Sequence, residues 1–326
     1  AGARGARRRA RDRPRPLRAG AGPLHPAREA AMPRDFARAQ VAACRVTGAK
    51  GFHLDACSTR GEAPAGAKEL SEELLREGVE RLAELQGRLA AQDRHALFVI
   101  FQAMDAAGKD GAIKHVFSGV NPQGCSVHAF KAPGPEELDQ DFLRRHIARL
   151  PARGQIGIHN RSWYEEVLVA RIHKPVLERQ RLPAEVTGPA MWEHRLEDIA
   201  AFERYLSRQG IVVLKFFLHV SREEQRARLL KRIEEPDKNW KLDPSDIAER
   251  RHWDAYQQAY EAAIRATAAP HAPWFVIPAD RKWLTRLLVV EAVIEALEQI
   301  DPRYPELGPD GQARLQQARL ALEAEG

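Results

Sequence analysis

Residues 98–114 read FVIFQAMDAAGKDGAIK, an apolar run that drops into a turn of small residues and then into a helical pattern. The window from Ala103 to Asp110 follows the spacing G-x-x-x-x-G-K-[ST] of a phosphate-binding loop set between a strand and a helix. Backbone around Ala106, Ala107, Gly108 and Gly111 would face phosphate oxygens at the helix N-terminus, and Lys109 would reach between phosphates as a point charge. Two positions depart from the pattern. Ala103 stands in place of the first glycine, and Asp110 in place of the Ser/Thr whose hydroxyl ligates Mg²⁺. The loop thus places two carboxylates, Asp105 and Asp110, inside a cradle suited to anions. A plain strand-to-helix turn with acidic N-terminal residues is the alternative reading of the same stretch.

Two further constellations carry charge of the right type. QIGIHNRSWYEEVLVARIHK (155–174) begins as an apolar run and ends in polar residues. Open α/β sheets bind ligands beyond the carboxyl ends of their strands, so Asn160, Arg161 and Ser162 should face the loop at 103–110. Arg161 can clamp a phosphate with its planar fork. Ser162 reads as a helix N-cap, with Glu165 completing a capping box, and so as structural rather than nucleophilic; Glu165 can serve the site as well. In SREEQRARLLKRIEEPDKNWKLDPSD (221–246), Arg228 and Arg232 lie four apart on one helix face, before a proline-bounded turn. This resembles the arginine-bearing lid of nucleotide kinases, over about 228–250, although composition alone favours a solvated, salt-bridged helix, a preference that the family blocks below reverse.

These groups need a scaffold. Residues 68–94 space Leu74, Leu75, Val79, Leu82, Leu85 and Leu89 at helical intervals. Short apolar runs then alternate with helical patterns: 97–102, 125–130, 155–160, 211–220 and 274–278 predict strands. Helices are expected to start near 111, 135, 162, 193 and 222, with a long one over 245–267 and a last one over 281–299. The pattern predicts an α/β fold with a mainly parallel, right-handed central sheet covered by helices on both faces. One domain is expected over 68–300, with a lead-in at 32–67 and a tail at 301–326.

Bulk composition narrows the class. At 326 residues, 44% hydrophobic and 29% charged, the chain can bury an ample core. Nine arginines against Asp12 and Glu29 give residues 1–31 a net of +7, so the formal +6 belongs to this segment and the remainder is about −1. That excludes a uniformly basic nucleic-acid binder. The segment has no apolar periodicity and no serine, so a disordered extension is expected, dispensable or upstream of the true start at Met32. Cys44, Cys57 and Cys125 show neither metal-ligand nor disulfide spacing, which fits the cytoplasm. The longest apolar run, 211–220, is interrupted by Lys215 and too short to span a membrane.

Several blocks, in order, resemble one family: DAAGKDGAIKHV (105–116), NPQG (121–124), FKAPGPEEL (130–138), NRSWYEEVLVARIH (160–173), EPDKNWKLDPSD (235–246) and HAPWFVIPADRKW (271–283). Together they resemble the polyphosphate kinase 2 family, over about residues 50–305. The resemblance implies a thymidylate-kinase-like P-loop fold in three layers with a helical lid. It implies reversible, Mg²⁺- or Mn²⁺-dependent in-line transfer of a terminal phosphoryl group from inorganic polyphosphate to an adenine nucleotide. Asn160 and Glu165-Glu166-Val167 resemble the subgroup that phosphorylates AMP and ADP; other subgroups carry Asp at the first position and Asn-Arg after the tyrosine. Trp163 departs from the histidine frequent there.

On this resemblance, Asp105, Lys109, Asn160 and Arg161 form the catalytic group, and Asp105 with Asp110 organises the metal. Arg228 and Arg232 close over the transferring group, and Lys114, His115 and Lys131 contact the donor chain. A homo-oligomer is expected, without nucleic-acid or membrane partners. Two rivals stay open: an ATP-dependent nucleoside-monophosphate kinase of the same fold, and a non-catalytic polyphosphate- or nucleotide-binding protein.

Overall fold

The computed structural model describes residues 26–325; most of the arginine-rich extension, residues 1–25, lies outside them. Six strands form one sheet in the order β1-β6-β5-β2-β4-β3, with β1 (Arg45–Val46), β2 (Ala96–Ala103), β3 (Cys125–Ala129), β4 (Ile156–Asn160), β5 (Ile211–His219) and β6 (Trp274–Pro278). All pairings are parallel except β1 with β6. β1 is two residues long, too short for any periodicity to reveal it in sequence.

The helices, in chain order, are α1 (Pro26–Cys44), α2 (Ser71–Gln92), α3 (Lys109–Val116), α4 (Pro135–Leu138), α5 (Arg144–Ile147), α6 (Glu165–Ile172), α7 (Lys174–Glu178), α8 (Met191–Arg208), α9 (Arg222–Glu234), α10 (Pro244–Glu249), α11 (Trp253–Thr267), α12 (Lys282–Ile300) and α13 (Pro309–Glu323). α1, α2 and α3 pack with α12 as one layer, and α6, α8 and α11 pack together as the other. The sandwiched sheet explains why β2 is buried at all eight positions: strands covered on both faces read as continuous apolar runs. α12 is apolar over most of its circumference because it meets α2, α1, α3 and the sheet.

Two expectations need correction. The helix expected over 245–267 is broken: α10 ends at Glu249, a 3-10 turn spans Arg250–His252, and α11 starts at Trp253. The break falls where neighbours pull on adjacent side chains. Glu249 binds His173 and Tyr256, whereas Arg250 donates to Gln225 and to the Arg222 carbonyl. The capping box at Ser162 does not form either. α6 begins at Glu165, whose carboxylate turns to Arg161, while the Ser162 hydroxyl accepts from Gln102 and from the Tyr164 N–H at 3.3 Å each.

The centre of the second layer is polar. Lys215, which interrupts the apolar run of β5, is fully buried and lies 2.5 Å from Glu203 of α8. Its ammonium also donates to the Thr267 carbonyl at 2.8 Å, and the Tyr164 hydroxyl lies 2.7 Å from Glu203 and 2.8 Å from the Thr267 hydroxyl. Burial pushes the Glu203 carboxyl up and the Lys215 ammonium down, and their pairing opposes both shifts. One network thus ties β5, α8, α11 and the residue preceding α6. Lys215→Met would leave Glu203 uncompensated, at an expected cost of about 3–5 kcal/mol in urea unfolding. Lys215→Met combined with Glu203→Leu should recover most of that loss; a double variant no more stable than the single would refute the pairing account.

Candidate active site

The carboxyl ends of β2, β3, β4, β5 and β6 all open at one edge of the sheet, and the segments that follow them surround a cavity of about 1000 Å³. Ala103 is the last residue of β2, paired with Leu218, so the first position of the loop pattern is extended strand and has no need of glycine. The turn proper is Met104 to Gly108. Ala106 (φ 59°) and Gly108 (φ 110°) adopt left-handed backbone, which Gly108 tolerates and Ala106 does not prefer. Among the described residues, the N–H groups of Lys109, Asp110 and Gly111 in the first turn of α3 find no acceptor in the chain. A Cβ at Gly111 would meet nothing within 4 Å, so the helix start opens directly onto the cavity.

Two cation–carboxylate contacts and two further hydrogen bonds organise the mouth. Arg161, itself left-handed at φ 68°, splits its fork between Asp105 of the loop (3.1 Å) and Glu165 of α6 (3.4 Å). Asn160, the last residue of β4, donates to Asp110 at 2.6 Å. Lys109 curls back to the Ala103 carbonyl at 3.0 Å. Burial lowers the Lys109 pKa and the Arg161 charge adds to this, while Asp105, Glu165 and Asp110 oppose it. Glu165 above all, then Asp105, raises that of Arg161 against its burial.

Asp105 and Asp110 each use one oxygen on a neighbour and have a second without a hydrogen-bond partner among the described residues. No group of three or more metal-ligating side chains exists among those residues. The pair still suits Mg²⁺, which keeps several waters and takes one or two carboxylates together with substrate phosphates.

Arg228 occupies the floor. Nε donates to Glu224 (2.8 Å), Nη1 to the carbonyls of Ala106 (3.1 Å) and Ala107 (2.6 Å), and Nη2 to those of Ala279 (2.6 Å) and Asp280 (3.3 Å). All five donors are engaged and the side chain is buried. Gln225, one turn earlier, donates to the Asp105 carbonyl at 3.0 Å and accepts from Arg250. Arg232 lines the cavity and pairs with Asp246 of α10 at 3.1 Å. Lys131 lines it too, whereas Lys114 and His115 are not among its lining residues; His115 bonds the Gly111 carbonyl within α3.

Sequence reasoning missed Lys231, Lys238, Lys282 and Arg286, which complete the basic wall. Lys282 and Arg286 are four apart at the start of the helix after β6, the same strand-end position that singled out Asn160 and Arg161, so the signal was present. Burial lowers the Lys282 pKa, and Arg228 and Lys231 push it the same way, as expected of cations crowded around an anion site. A second cavity of about 820 Å³ shares Arg228, Lys231, Lys282 and Arg286 with the first and adds Arg60, Lys68 and Arg281.

Comparison with known proteins points the same way. The family model described as Polyphosphate kinase 2 matches residues 66–305. The chain is 48% identical over 257 residues to an ADP-polyphosphate phosphotransferase of Rhodopseudomonas palustris, covering 78% of this chain and 89% of that protein. It is 44% identical over 241 residues to an AMP/ADP-polyphosphate phosphotransferase of Meiothermus ruber, covering 74% and 86%. The crystal structure of Polyphosphate Kinase 2 from Arthrobacter aurescens TC1 superposes with a TM-score of 0.76 at 36% identity, over 86% of this chain and 95% of that one.

Because Arg228 holds two loop carbonyls from beneath, Arg228→Ala is expected to cost on the order of 3 kcal/mol of stability. Arg228→Lys keeps the charge without the fork, and should recover little in denaturant unfolding. Full recovery by lysine would show that charge, not the five-donor geometry, supports the loop.

Proposed function

The chain belongs to the Polyphosphate kinase 2 family, and on that premise we propose that it transfers the terminal phosphoryl group of inorganic polyphosphate to AMP or ADP. The observation that carries this reading over an ATP-dependent kinase is the length of the basic lining. Two neighbouring cavities that share Arg228, Lys231, Lys282 and Arg286 in their walls carry basic side chains from Lys109 to Arg60 and Lys68, a surface suited to a long polyanion. Asp105, Lys109 and Arg161, gathered at one mouth, weigh against a non-catalytic binding protein.

In the proposed reaction an oxygen of the acceptor's terminal phosphate attacks the end phosphorus of the donor. A new P–O bond forms as the bond to the penultimate phosphate breaks, and the shortened chain leaves with the electron pair. One phosphoanhydride replaces another, so the step runs in either direction. The attacking and leaving oxygens lie in line, and the protein's task is positioning and charge neutralisation. Lys109 and the free N–H groups of 109–111 hold the transferring phosphoryl group. Arg161, oriented by Asp105 and Glu165, stabilises its equatorial oxygens. Asp105 and Asp110 would hold Mg²⁺, which would supply charge neutralisation to the reacting phosphates. Trp240, Leu242, Asp243 and Asp246, from the segment between α9 and α11, form the wall that limits water.

Incubation of AMP or ADP with polyphosphate, with no ATP supplied, is expected to yield ADP or ATP. Transfer only when ATP is given to AMP would overturn the proposal. Asp105→Asn and Lys109→Ala should each lower kcat/KM on the order of 10²-fold; near-wild-type rates in both would displace the reaction centre. Lys282→Ala with Arg286→Ala should raise the KM for polyphosphate about tenfold, with little change in the nucleotide KM.

A further inference from the structure

The 3-10 turn Arg250–His252, where α10 gives way to α11, is pinned from two sides. Glu249, just before it, accepts from the Tyr256 hydroxyl at 2.8 Å and lies 2.8 Å from Nε2 of His173, the residue that follows α6. Arg250 reaches the opposite way, to α9. Its Nη1 donates to the Arg222 carbonyl at 3.1 Å and to Gln225 Oε1 at 2.5 Å. Gln225 is buried and passes the contact on, with Nε2 donating to the Asp105 carbonyl at 3.0 Å. Neither Arg250 nor Gln225 lines the phosphate cavity, so any influence on it runs through Asp105.

Charge does not explain the place of Arg250. Burial lowers its pKa, and Arg222 and Arg226 push the same way, with Glu223 opposing. A cation set among cations is held by the acceptors it finds. The consequence falls on Gln225. A carbonyl can be met only by the nitrogen of an amide side chain, and a guanidinium only by its oxygen. With Arg250 on Oε1, Nε2 is committed to Asp105. Turned over, the amide would set oxygen against oxygen at one end and nitrogen against a cation at the other. The chain from Arg250 through Gln225 to Asp105 thus has one polarity. It ends on the residue whose carboxylate meets Arg161 at 3.1 Å.

Resting on the phosphotransfer reading above, we infer that Gln225 and Arg250 are positioning residues for the reaction. Arg250 orients the Gln225 amide, the amide holds the backbone of Asp105, and that fixes the register of Asp105 against Arg161. Arg250 also stands directly after the segment that walls the cavity with Asp243 and Asp246, so the same chain ties the phosphate loop to the placement of that wall. A misplacement of about 1 Å at a reacting centre costs on the order of 10²-fold in rate, so a remote hydrogen bond can matter to turnover.

Gln225→Glu separates positioning from plain support of the turn. Its carboxylate still accepts from Arg250 but has no proton to give to Asp105. Support alone predicts an unaltered enzyme. Positioning predicts a kcat about tenfold lower for AMP with polyphosphate, while both KM values stay within about twofold. A kcat equal to wild type in the folded variant would overturn the inference. Should Gln225→Glu fail to fold, Arg250→Met and Gln225→Met decide it, made separately and together. The double variant should lower kcat no further than Gln225→Met alone; losses that multiply would refute a single chain. Hydrogen exchange on the substrate-free protein reads the loop without any reaction. Amides of 103–111 should exchange about fivefold faster in each variant, those of 165–172 at the wild-type rate. Unchanged exchange at 103–111 counts against the chain. A loosened loop in a protein that takes phosphoryl groups from ATP and ignores polyphosphate would sink only the donor assignment.

Discussion

The turn Met104 to Gly108 leads into α3, whose first three N–H groups find no acceptor among the described residues, while the carbonyls of Asp105, Ala106 and Ala107 are bonded from within the protein. Carbonyls turned inward need donors, and the turn itself supplies one only to Met104, from the Ala107 N–H. Arg228 and Gln225, from consecutive turns of α9, satisfy the carbonyls of Asp105, Ala106 and Ala107. Everything at the mouth follows from this arrangement. The loop carries Asp105 to Arg161, the helix that leaves it carries Asp110 to Asn160, and Lys109 returns to the strand end. An arginine with all its donors committed acts here as scaffold, while Lys231, Lys238, Lys282 and Arg286 line the cavity as its basic wall.

The presence of carboxylates in a phosphate cradle has a physical account. Two polyanions brought together repel, and cationic side chains alone would bind the reactants too evenly to favour the transition state. Asp105 and Asp110 offset part of that positive field, orient Arg161 and Asn160, and leave one oxygen each without a hydrogen-bond partner among the described residues. The left-handed backbone at Arg161 sits at the heart of this set, and the strain is sustained by the Arg161 N–H on the Phe101 carbonyl at 3.0 Å and by the carboxylates gripping the side chain.

The buried Lys215–Glu203 network acts at one remove. It fixes Tyr164, three residues after Arg161 and one before Glu165, to β5, α8 and α11 at once. The start of α6 is therefore set from the core side, and that start carries Glu165, which holds Arg161, and Glu166, which pairs with Arg195. A polar cluster in an apolar layer is costly to bury and is tolerated where every member is satisfied.

The sequence alone determined the alternation of strands and helices, the strand-turn-helix around Gly108 and Lys109, and the strand-end positions of Asn160 and Arg161. Those features are local: apolar period, small residues in a turn and polar residues closing an apolar run are written within a few positions of one another. The family resemblance was legible for the same reason, as short blocks in order. Only the tertiary structure decided what Arg228 does, since its partners lie 4, 51, 52, 121 and 122 residues away, and helical spacing cannot distinguish a carbonyl clamp from a solvated charge. It alone separated Glu165 from Glu166, adjacent in the chain yet held by different partners, Arg161 and Gln180. It also decided that Glu165 orients Arg161 instead of closing a capping box, and that Lys215 within a strand has a carboxylate waiting. Side-chain chemistry can be read from composition, but which groups share a site depends on the distances that folding closes.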